Sequence, residues 1–173
     1  IIRYILSHAS FPHPVVTLGN FDGIHLGHQA ILTRVVHEAR ARQGTGLVLT
    51  FHPHPLAVLR PAHAFPLILS LREKLRLFAT QDIHGVFLQH FTLPFSRLTP
   101  EEFVQHYLVE AIGAEKVIVG HNVSFGRNRA GSAQTLEHLG QVHGIEVEVV
   151  GPVLLGDREV SSTTVRTLLS AGD

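Results

Sequence analysis

Five short apolar runs, separated by segments with helical periodicity, limit most tightly how this 173-residue chain can fold. A strand with one face in water alternates apolar and polar residues, whereas a strand covered on both faces is apolar throughout. The pattern therefore predicts an α/β fold, with a mostly parallel sheet and helices on both faces. The apolar runs occupy residues 15–18, 47–51, 86–88, 117–119 and 145–150.

Capping residues mark where the intervening helices begin. Ser70 and Glu73 form a capping-box pattern, which indicates a helix start ahead of the third strand. Thr99 precedes a proline and two glutamates, and this pattern favours a helix that ends at Gly113. Helices are also predicted after the first strand, over residues 132–139 and from residue 161 to 169.

Three loops of unusual composition follow the first, second and fourth predicted strands. They read GNFDGIHLGH, FHPHP and GHNVSFGRNRAG, at residues 19–28, 51–55 and 120–131. The carboxyl ends of parallel strands lie at one edge of the sheet, where ligands bind, so we expect these loops to form one site. Residues 52–55 are predicted to be loop, because proline suits neither a helix interior nor an internal strand.

The first of these loops has the chemistry of an anion-binding site. A helix N-terminus carries unpaired N–H groups and a partial positive charge, and Gly23 and Gly27 would let a phosphate approach the backbone. His25 and His28 lie three residues apart, so both imidazoles can face the same phosphate. Such donors stabilise the negative charge that accumulates when the α-phosphate of a nucleotide is attacked.

Two other interpretations of the histidines remain open at this point. Glycines make turns in many loops, and His25 and His28 would then be ordinary caps or surface residues. Alternatively, His25, His28, His52 and His54 converge on a zinc ion. Against zinc, paired histidine ligands on a helix are more familiar four residues apart, and no well-placed carboxylate beyond Asp22 completes the set. We therefore expect no protein metal site.

Composition argues against several classes of function. Fourteen basic and 14 acidic side chains leave no excess of positive charge, so nucleic-acid binding is not indicated. No apolar stretch reaches the roughly 20 residues of a membrane span, and residues 1–14 lack the pattern of an export signal. The absence of cysteine excludes disulfides and thiolate metal sites. We expect a cytoplasmic protein without nucleic-acid or membrane partners.

Four motifs, in order along nearly the whole chain, resemble those of one enzyme family. Residues 19–28 are similar to GxFDGxHxGH, residues 50–55 to TFxPHP, residues 119–131 to VGxNFxFGxxRxG and residues 160–166 to ISSTxIR. Together they resemble the adenylyltransferase domain of bacterial bifunctional riboflavin kinase/FMN adenylyltransferases, also called FAD synthetases. That domain belongs to the HxGH nucleotidyltransferase superfamily. One HxGH motif is moderately specific for the superfamily, whereas the four motifs together are specific for the family.

The resemblance implies a Rossmann-like domain that transfers AMP from MgATP to FMN, giving FAD and pyrophosphate. Mg²⁺ is expected to be held by ATP phosphates and water, with no protein ligand. By the same resemblance, the catalytic residues are His25, His28, Asn122 and Arg166. The residues expected to bind ATP are Gly19, Asn20, Phe21, Gly27, Phe125, Gly126, Arg127, Ser162 and Thr163. The residues expected on the flavin side are Asp22, Pro53, His54 and Pro55.

Several of these assignments have structural alternatives. Asp22 can order its own loop through Asx-type hydrogen bonds, and residues 53–55 can simply stiffen a loop. Arg166, expected at the leaving pyrophosphate, can instead pair at the surface with Asp157 or Glu159.

The last motif leaves a further alternative, and two positions depart from the family pattern. Ser162 and Thr163 can be ordinary first-turn residues, although hydroxyls at a helix N-terminus suit a polyphosphate. Val123 stands where the family usually has an aromatic residue, which would loosen substrate packing, and Thr164 stands where a larger residue is common.

Two rival functions share these motifs or this fold. Other HxGH enzymes are cytidylyltransferases, or adenylyltransferases that act on pantetheine phosphate or nicotinate mononucleotide. The FHPHP segment favours flavin over these acceptors. A non-catalytic nucleotide- or flavin-binding module would have the same fold, and intact His28 and Arg166 argue against it. In the family a riboflavin kinase module follows the last motif. We expect residues 1–173 to be one adenylyltransferase domain, with the kinase absent from this chain and linked to it in the parent protein.

Overall fold

Five parallel strands form the centre of the molecule, for which a computed structural model describes residues 11–62 and 66–172. Each strand coincides with a predicted apolar run, and the parallel pairing confirms the predicted α/β class. The strands are β1 Pro14–Leu18, β2 Thr45–His52, β3 Gly85–His90, β4 Lys116–Gly120 and β5 Glu146–Val150.

The order of the strands determines where a ligand can enter. It is β3-β2-β1-β4-β5, so the chain builds outward from β1 on one side and then returns to build β4 and β5 on the other. The loops after β1 and β4 consequently run in opposite directions and leave a crevice between them. Open α/β sheets bind ligands at such a crevice, beyond the carboxyl ends of the strands.

Helices connect the strands and begin largely where capping residues predicted. Both capping boxes form, Ser70 with Glu73 and Thr99 with Glu102. The helices are α1 Leu26–Ala41, α2 Pro55–Leu59, α3 Leu71–Thr80, α4 Pro100–Phe103, α5 Ala133–His143 and α6 Ser162–Ala171. Beyond α4 the chain continues as a π-helix over Val104–Ile112 and ends at Gly113 in a left-handed conformation.

Alternate residues of each strand pack into two hydrophobic layers, one on each face of the sheet. Val15 belongs to the layer that contains Leu32 of α1, together with residues of α3. Its neighbour Val16 belongs to the opposite layer, with Leu108 of the π-helix and Leu136 of α5. Burial on both faces explains why the inner strands are mostly apolar, whereas the edge strand β5 carries Glu146 and Glu148.

The prediction of loop over residues 52–55 is wrong at both ends. His52 is the last residue of β2, and Pro55 is the first residue of α2. Proline is accepted at a first helical position because the N–H it lacks would have no intrahelical partner there. His54 caps this helix, since its Nδ1 accepts a hydrogen bond from the backbone N–H of Leu56 at 3.2 Å.

Further elements were not expected from the sequence. An antiparallel hairpin pairs β6 Leu154–Leu155 with β7 Arg158–Glu159, and 3-10 turns form at Phe95–Arg97 and Arg127–Arg129. Within the described part of the chain, no helix combines the length and the apolar character needed to cross a bilayer. Residues 1–10, which carry most of the expectation about an export signal, lie outside the described residues.

Candidate active site

A cavity of about 340 Å³ opens at the crevice beyond the carboxyl ends of β1 and β4. The loop after β1, the loop after β4 and the segment that leads into α6 all contribute to its lining. All four motifs therefore reach the cavity, the second only through Phe51 of β2, and they meet at the edge that the parallel sheet predicts. Predicted site residues in the lining are Gly19, Asn20, Phe21, His25, Gly27, His28, Asn122, Ser162 and Thr163.

The loop between β1 and α1 has an unusual backbone conformation. Phe21 and Ile24 have φ values of 51° and 38°, in the left-handed region that side chains disfavour, and Gly23 has φ 93°. Phe21 is buried, and its ring packs edge-on against Phe78 at 5.4 Å between centroids. This core contact holds the loop in its conformation, and such strain is typical of sites that present backbone or side chains to a ligand.

His25 and His28 form a compact pair at the start of α1. Their rings stack with centroids 3.7 Å apart, and Nδ1 of His25 accepts a long hydrogen bond from the backbone N–H of His28 at 3.4 Å. Gly27 makes room for this arrangement, because a Cβ there would lie 3.2 Å from the His25 ring. The expected convergence of the two imidazoles at one helix N-terminus is therefore present.

His28 is the less solvated of the two rings. Its Nδ1 is buried and has no hydrogen-bond partner within the described residues. Burial first, and then the neighbouring His25 and Lys74, lower the pKa of His28 to about 3, although Asp22 acts in the opposite direction. The imidazole is consequently neutral at physiological pH, with one N–H to donate.

The loop over residues 19–28, which we call the histidine loop, contains Asp22. The Asp22 carboxylate forms a buried ion pair with Arg166. The Nη2 atom of Arg166 lies 2.6 Å from Oδ2 of Asp22, and the carboxylate also accepts hydrogen bonds from the backbone N–H groups of Ile68 and Leu69. Burial raises the pKa of Asp22, but Arg166 and the two N–H groups outweigh it, so the pKa lies below its ordinary value. Asp22 thus joins distant segments through its side chain.

Arg166 also bonds to the segment that contacts Asp22, and Ser162 adds a further contact between α6 and Asp22. The Nε of Arg166 donates to the carbonyl oxygen of Pro66 at 3.1 Å, and Ser162 Oγ donates to the backbone carbonyl of Asp22 at 2.8 Å. Glu159, the alternative partner considered for Arg166, instead pairs with His121 at 3.2 Å on the rim of the cavity. Two residues of α6 therefore hold the start of that helix against the histidine loop.

The residues expected on the flavin side lie next to this ion pair. A cis peptide bond joins His52 to Pro53, and His54 caps α2. Burial lowers the pKa of His54 to about 4; Asp22 opposes this shift, whereas Arg166 and Lys74 add to it. These electrostatic effects place His54 near the same charged groups that support the histidine loop.

The loop after β4 contributes differently from the prediction. Asn122 lines the cavity, but Phe125 is buried in the core against Phe103, at 5.5 Å between ring centroids. Gly126 adopts a φ of 70°, and a Cβ there would meet Pro100. Arg127 is exposed and lies outside the cavity lining. ATP contacts by Phe125, Gly126 and Arg127 remain predictions.

Comparison with known proteins adds an independent finding. A family model described as FAD synthetase matches residues 8–164. The chain belongs to the FAD synthetase family. This membership agrees with the four motifs and with the crevice at which they meet.

Named relatives in this family are about twice as long. Bifunctional riboflavin kinase/FMN adenylyltransferases of Escherichia coli K12 and Pseudomonas fluorescens are 33% and 36% identical, over 95% and 92% of this chain. The matches cover 53% and 51% of those proteins, so the chain spans about half the length of these relatives. A crystal structure titled as a macrolide-efflux protein from Streptococcus pneumoniae has a TM-score of 0.79 and 34% identity, over 90% of this chain and 50% of that one.

Sequence reasoning missed three polar residues around the site of this FAD synthetase-family chain. Arg129 lines the cavity, has a φ of 59° and donates from Nε to Ser124 Oγ at 2.9 Å. The signal was available, because Arg129, not Arg127, occupies the arginine position of the third motif. His121 lines the rim, and Lys74 lies buried beneath the histidine loop. Lys74 occupies the buried stripe of α3, four residues before Phe78, where a cation is unusual.

The alternative of a zinc site can be compared with the geometry. In residues 11–62 and 66–172, no three His, Asp or Glu side chains are grouped so as to hold a metal ion. The rings of His25 and His28 are stacked face to face, and Nδ1 of His54 caps α2. This arrangement uses the histidines in contacts with one another and with the backbone.

Proposed function

We propose that this chain transfers AMP from MgATP to the phosphate of FMN, producing FAD and pyrophosphate. The observation that carries the proposal is the stacked pair of His25 and His28 at the N-terminus of α1, lining the crevice. A phosphate at this position would meet the helix N-terminus and the imidazole N–H groups together. Membership of the FAD synthetase family and the names of the relatives supply the substrates.

The reaction needs positioning and charge stabilisation more than an activated nucleophile. An oxygen of the FMN phosphate attacks the α-phosphorus of ATP, and the bond from that phosphorus to the β-phosphate oxygen breaks. The FMN phosphate is already anionic near neutral pH, so no serine or cysteine has to be activated. Negative charge builds up on the α-phosphate oxygens, and neutral His25 and His28 would stabilise it by donating N–H groups.

The other predicted residues fall into four sets in this proposal, three for ATP and one for flavin. Gly19, Asn20, Phe21 and Gly27 cradle the nucleotide from the histidine loop, with Asn122 opposite. Phe125, Gly126 and Arg127 are proposed to shape the second ATP loop. Ser162, Thr163 and Arg166 are proposed at the leaving pyrophosphate, and Asp22, Pro53, His54 and Pro55 at the flavin side.

We propose a second role for Arg166, which is to connect two segments of the site. Its guanidinium holds Asp22 and the carbonyl of Pro66, and so connects the segment proposed for pyrophosphate with the segment proposed for flavin. Loss of Arg166 would then affect the position of both substrates, and the effect on ATP is expected to be the larger.

Magnesium would enter as part of the nucleotide. Asp22, the buried carboxylate beside the histidine loop, already accepts from Arg166 and two backbone N–H groups. Glu159 at the rim pairs with His121. Because these carboxylates are engaged, we propose that ATP phosphates and water supply the magnesium ligands.

We further propose that residues 1–173 form one adenylyltransferase domain that does not itself phosphorylate riboflavin. The basis is that the four motifs resemble those of the adenylyltransferase domain, that a FAD synthetase model matches residues 8–164 and that the relatives are named as bifunctional. A riboflavin kinase module linked to it in the parent protein would supply FMN. A cytoplasmic location fits an enzyme that consumes ATP.

The test is turnover by the purified chain with MgATP and FMN. FAD is quantified chromatographically and pyrophosphate by a coupled assay, with nicotinate mononucleotide and phosphopantetheine as alternative acceptors. FAD and pyrophosphate in equal amounts are expected, with no FMN from riboflavin, and a zinc-selective chelator should leave the rate unchanged in excess Mg²⁺. Turnover of another acceptor in preference to FMN would overturn the substrate assignment. Binding of both ligands without any turnover would indicate a non-catalytic module.

A further inference from the structure

Lys74 places a buried positive charge behind the cavity lining, in contact with Asn20. It lies on α3, is 8% exposed, and is one of two lysines in the chain. Its Nζ donates to the carbonyl oxygen of Asn20 at 3.0 Å and to Thr50 Oγ1 at 3.2 Å. Asn20 belongs to the histidine loop after β1, and Thr50 lies near the carboxyl end of β2. The ammonium group therefore bridges the two strand ends that carry the first and second loops.

The charge on Lys74 is not paired with a carboxylate in the described part of the chain. Within the described residues, both hydrogen-bond acceptors of its Nζ are uncharged, and no Asp or Glu oxygen forms a salt bridge with it. The nearby carboxylate of Asp22 is already paired with Arg166. Keeping a buried cation without a counter-ion costs free energy, so a chain that retains one has a reason other than stability.

We propose that Lys74 is a positioning residue for AMP transfer, which holds the histidine loop through Asn20 and supplies an unneutralised positive charge beneath the reacting phosphates. This inference rests on the proposed function. Lys74 is not part of the cavity lining, so it acts through the loop and through its electric field. Polyphosphate is the ligand class that such a field favours, because it brings several negative charges into a partly dehydrated site.

The charge on Lys74 affects the pKa values of several neighbouring groups. Burial lowers the pKa of Lys74 to about 8, and Asp22 partly opposes the shift. Lys74 in turn lowers the pKa of His28, His52 and His54, although burial is the largest cause in each case. At pH 7 the cation is therefore beside neutral imidazoles, and the free protein loses the cation as the pH rises through about 8.

The first test measures the steady-state kinetics of Lys74→Met and Lys74→Gln. Glutamine can keep a hydrogen bond to Asn20 but carries no charge, so both variants should lose roughly 10-fold or more in kcat/KM for MgATP at pH 7.5. The wild-type kcat/KM should fall above a pH of about 8, and both variants should lack this dependence. Lys116→Met, which removes the other lysine, is the matched control and should keep wild-type kinetics.

The two ideas fail in different ways. A wild-type chain that makes no FAD would contradict the proposed function. If the wild-type chain makes FAD and Lys74→Gln has the same kinetics as the wild type, only the hydrogen bond matters. That result would overturn the proposed role of the charge. Near wild-type kinetics in Lys74→Met would overturn the positioning role as well.

A second measurement needs no turnover. Calorimetric titration with MgATP should show affinity for Lys74→Gln reduced by about 5-fold or more, with less effect for Thr50→Val, which keeps the charge and loses one acceptor. NMR titration should show the pKa of His54 raised in Lys74→Gln relative to wild type. Unchanged MgATP affinity together with an unchanged pKa of His54 would overturn the proposal whether or not FAD is formed.

Discussion

The two lysines of the chain, one near each end of the central sheet, have opposite surroundings. At the amino end, Lys116 lies 2.8 Å from Glu38 and 2.7 Å from Glu148, and its pKa is raised: burial alone would lower it, but these carboxylates outweigh burial. At the carboxyl end, Lys74 meets neutral oxygens, and Nδ1 of His28 has no partner among the described residues. Lys116 is therefore neutralised by carboxylates, whereas Lys74 forms no salt bridge among the described residues.

This difference in charge pairing separates groups that stabilise the fold from groups that can interact with a ligand. Matched charges at the amino end stabilise the fold modestly and leave no potential for a ligand to use. Unmatched polar groups at the carboxyl end cost stability, but they provide donors and positive potential where helix N-termini also point. The four predictions below test this separation.

Arg166→Ala should have the largest effect, because it breaks the one buried ion pair described at the carboxyl end. Removing the guanidinium leaves the Asp22 carboxylate buried without its counter-ion, which should lower the free energy of unfolding by about 3 kcal/mol. Chemical denaturation measures the change. Arg34→Ala, which removes a half-exposed arginine from Glu148 at the amino end, should cost much less, because solvent screens that pair.

Two further variants sharpen this prediction. Arg166→Lys should recover only part of the loss, because lysine offers a point charge in place of a fork that can bridge two acceptors. Asp22→Asn in the Arg166→Ala background should restore stability, since it removes the stranded charge. Equal losses of unfolding free energy in Arg166→Ala and Arg34→Ala would mean that ion pairs contribute equally to stability at the two ends of the sheet. Collapse of FMN binding with normal ATP binding would place Arg166 on the flavin side alone.

His28→Ala should lower kcat by about 100-fold while the fold persists, if its N–H stabilises charge that develops in the transition state. The matched control is His13→Ala at the amino end, where an exposed histidine pairs with Glu115 at 3.0 Å. That control should change neither kcat nor KM. An effect of His28→Ala on KM for MgATP alone would make His28 a ground-state contact.

Acid should weaken the carboxyl end selectively. Because the pKa of His28 is about 3 in the folded chain and about 6.5 when unfolded, the unfolded state binds more protons between these values. The free energy of unfolding should therefore fall as pH decreases from 7 to 4, by on the order of 2 kcal/mol from His28. Denaturation curves of His28→Phe, which cannot be protonated, should show a shallower fall. An identical pH dependence in the two proteins would contradict the low pKa of His28.

Lys116→Met and Lys74→Met should change stability in opposite directions, with small magnitudes. Lys116→Met removes a matched cation from Glu38 and Glu148, and should cost about 1 kcal/mol. Lys74→Met replaces an unmatched buried cation with an apolar side chain, and should be neutral or stabilising by about 1 kcal/mol. Thermal denaturation at pH 7 compares them. A larger loss for Lys74→Met than for Lys116→Met would make Lys74 mainly a structural residue.

The sheet and most helix starts were predictable because they depend on neighbouring residues. Strands buried on both faces must be mostly apolar, as β1 and β4 are apart from Thr17 and Lys116. The side chain of Ser70 can cap a helix without help from distant parts of the chain. The loop over residues 52–55 was mispredicted because a local rule about proline leaves open which helical position a proline takes.

Within the site, the sequence by itself determined which residues stand at helix and strand ends, and therefore that His25 and His28 share the N-terminus of α1. The tertiary structure alone decided which partners those residues meet. Asp22 pairs with Arg166 across 144 positions, and Lys74 reaches Asn20 across 54. The physical reason is that hydrogen-bond partners and desolvation depend on packing between elements far apart in the chain. Local sequence identifies the charge, and only the fold decides whether it is matched or left for a ligand.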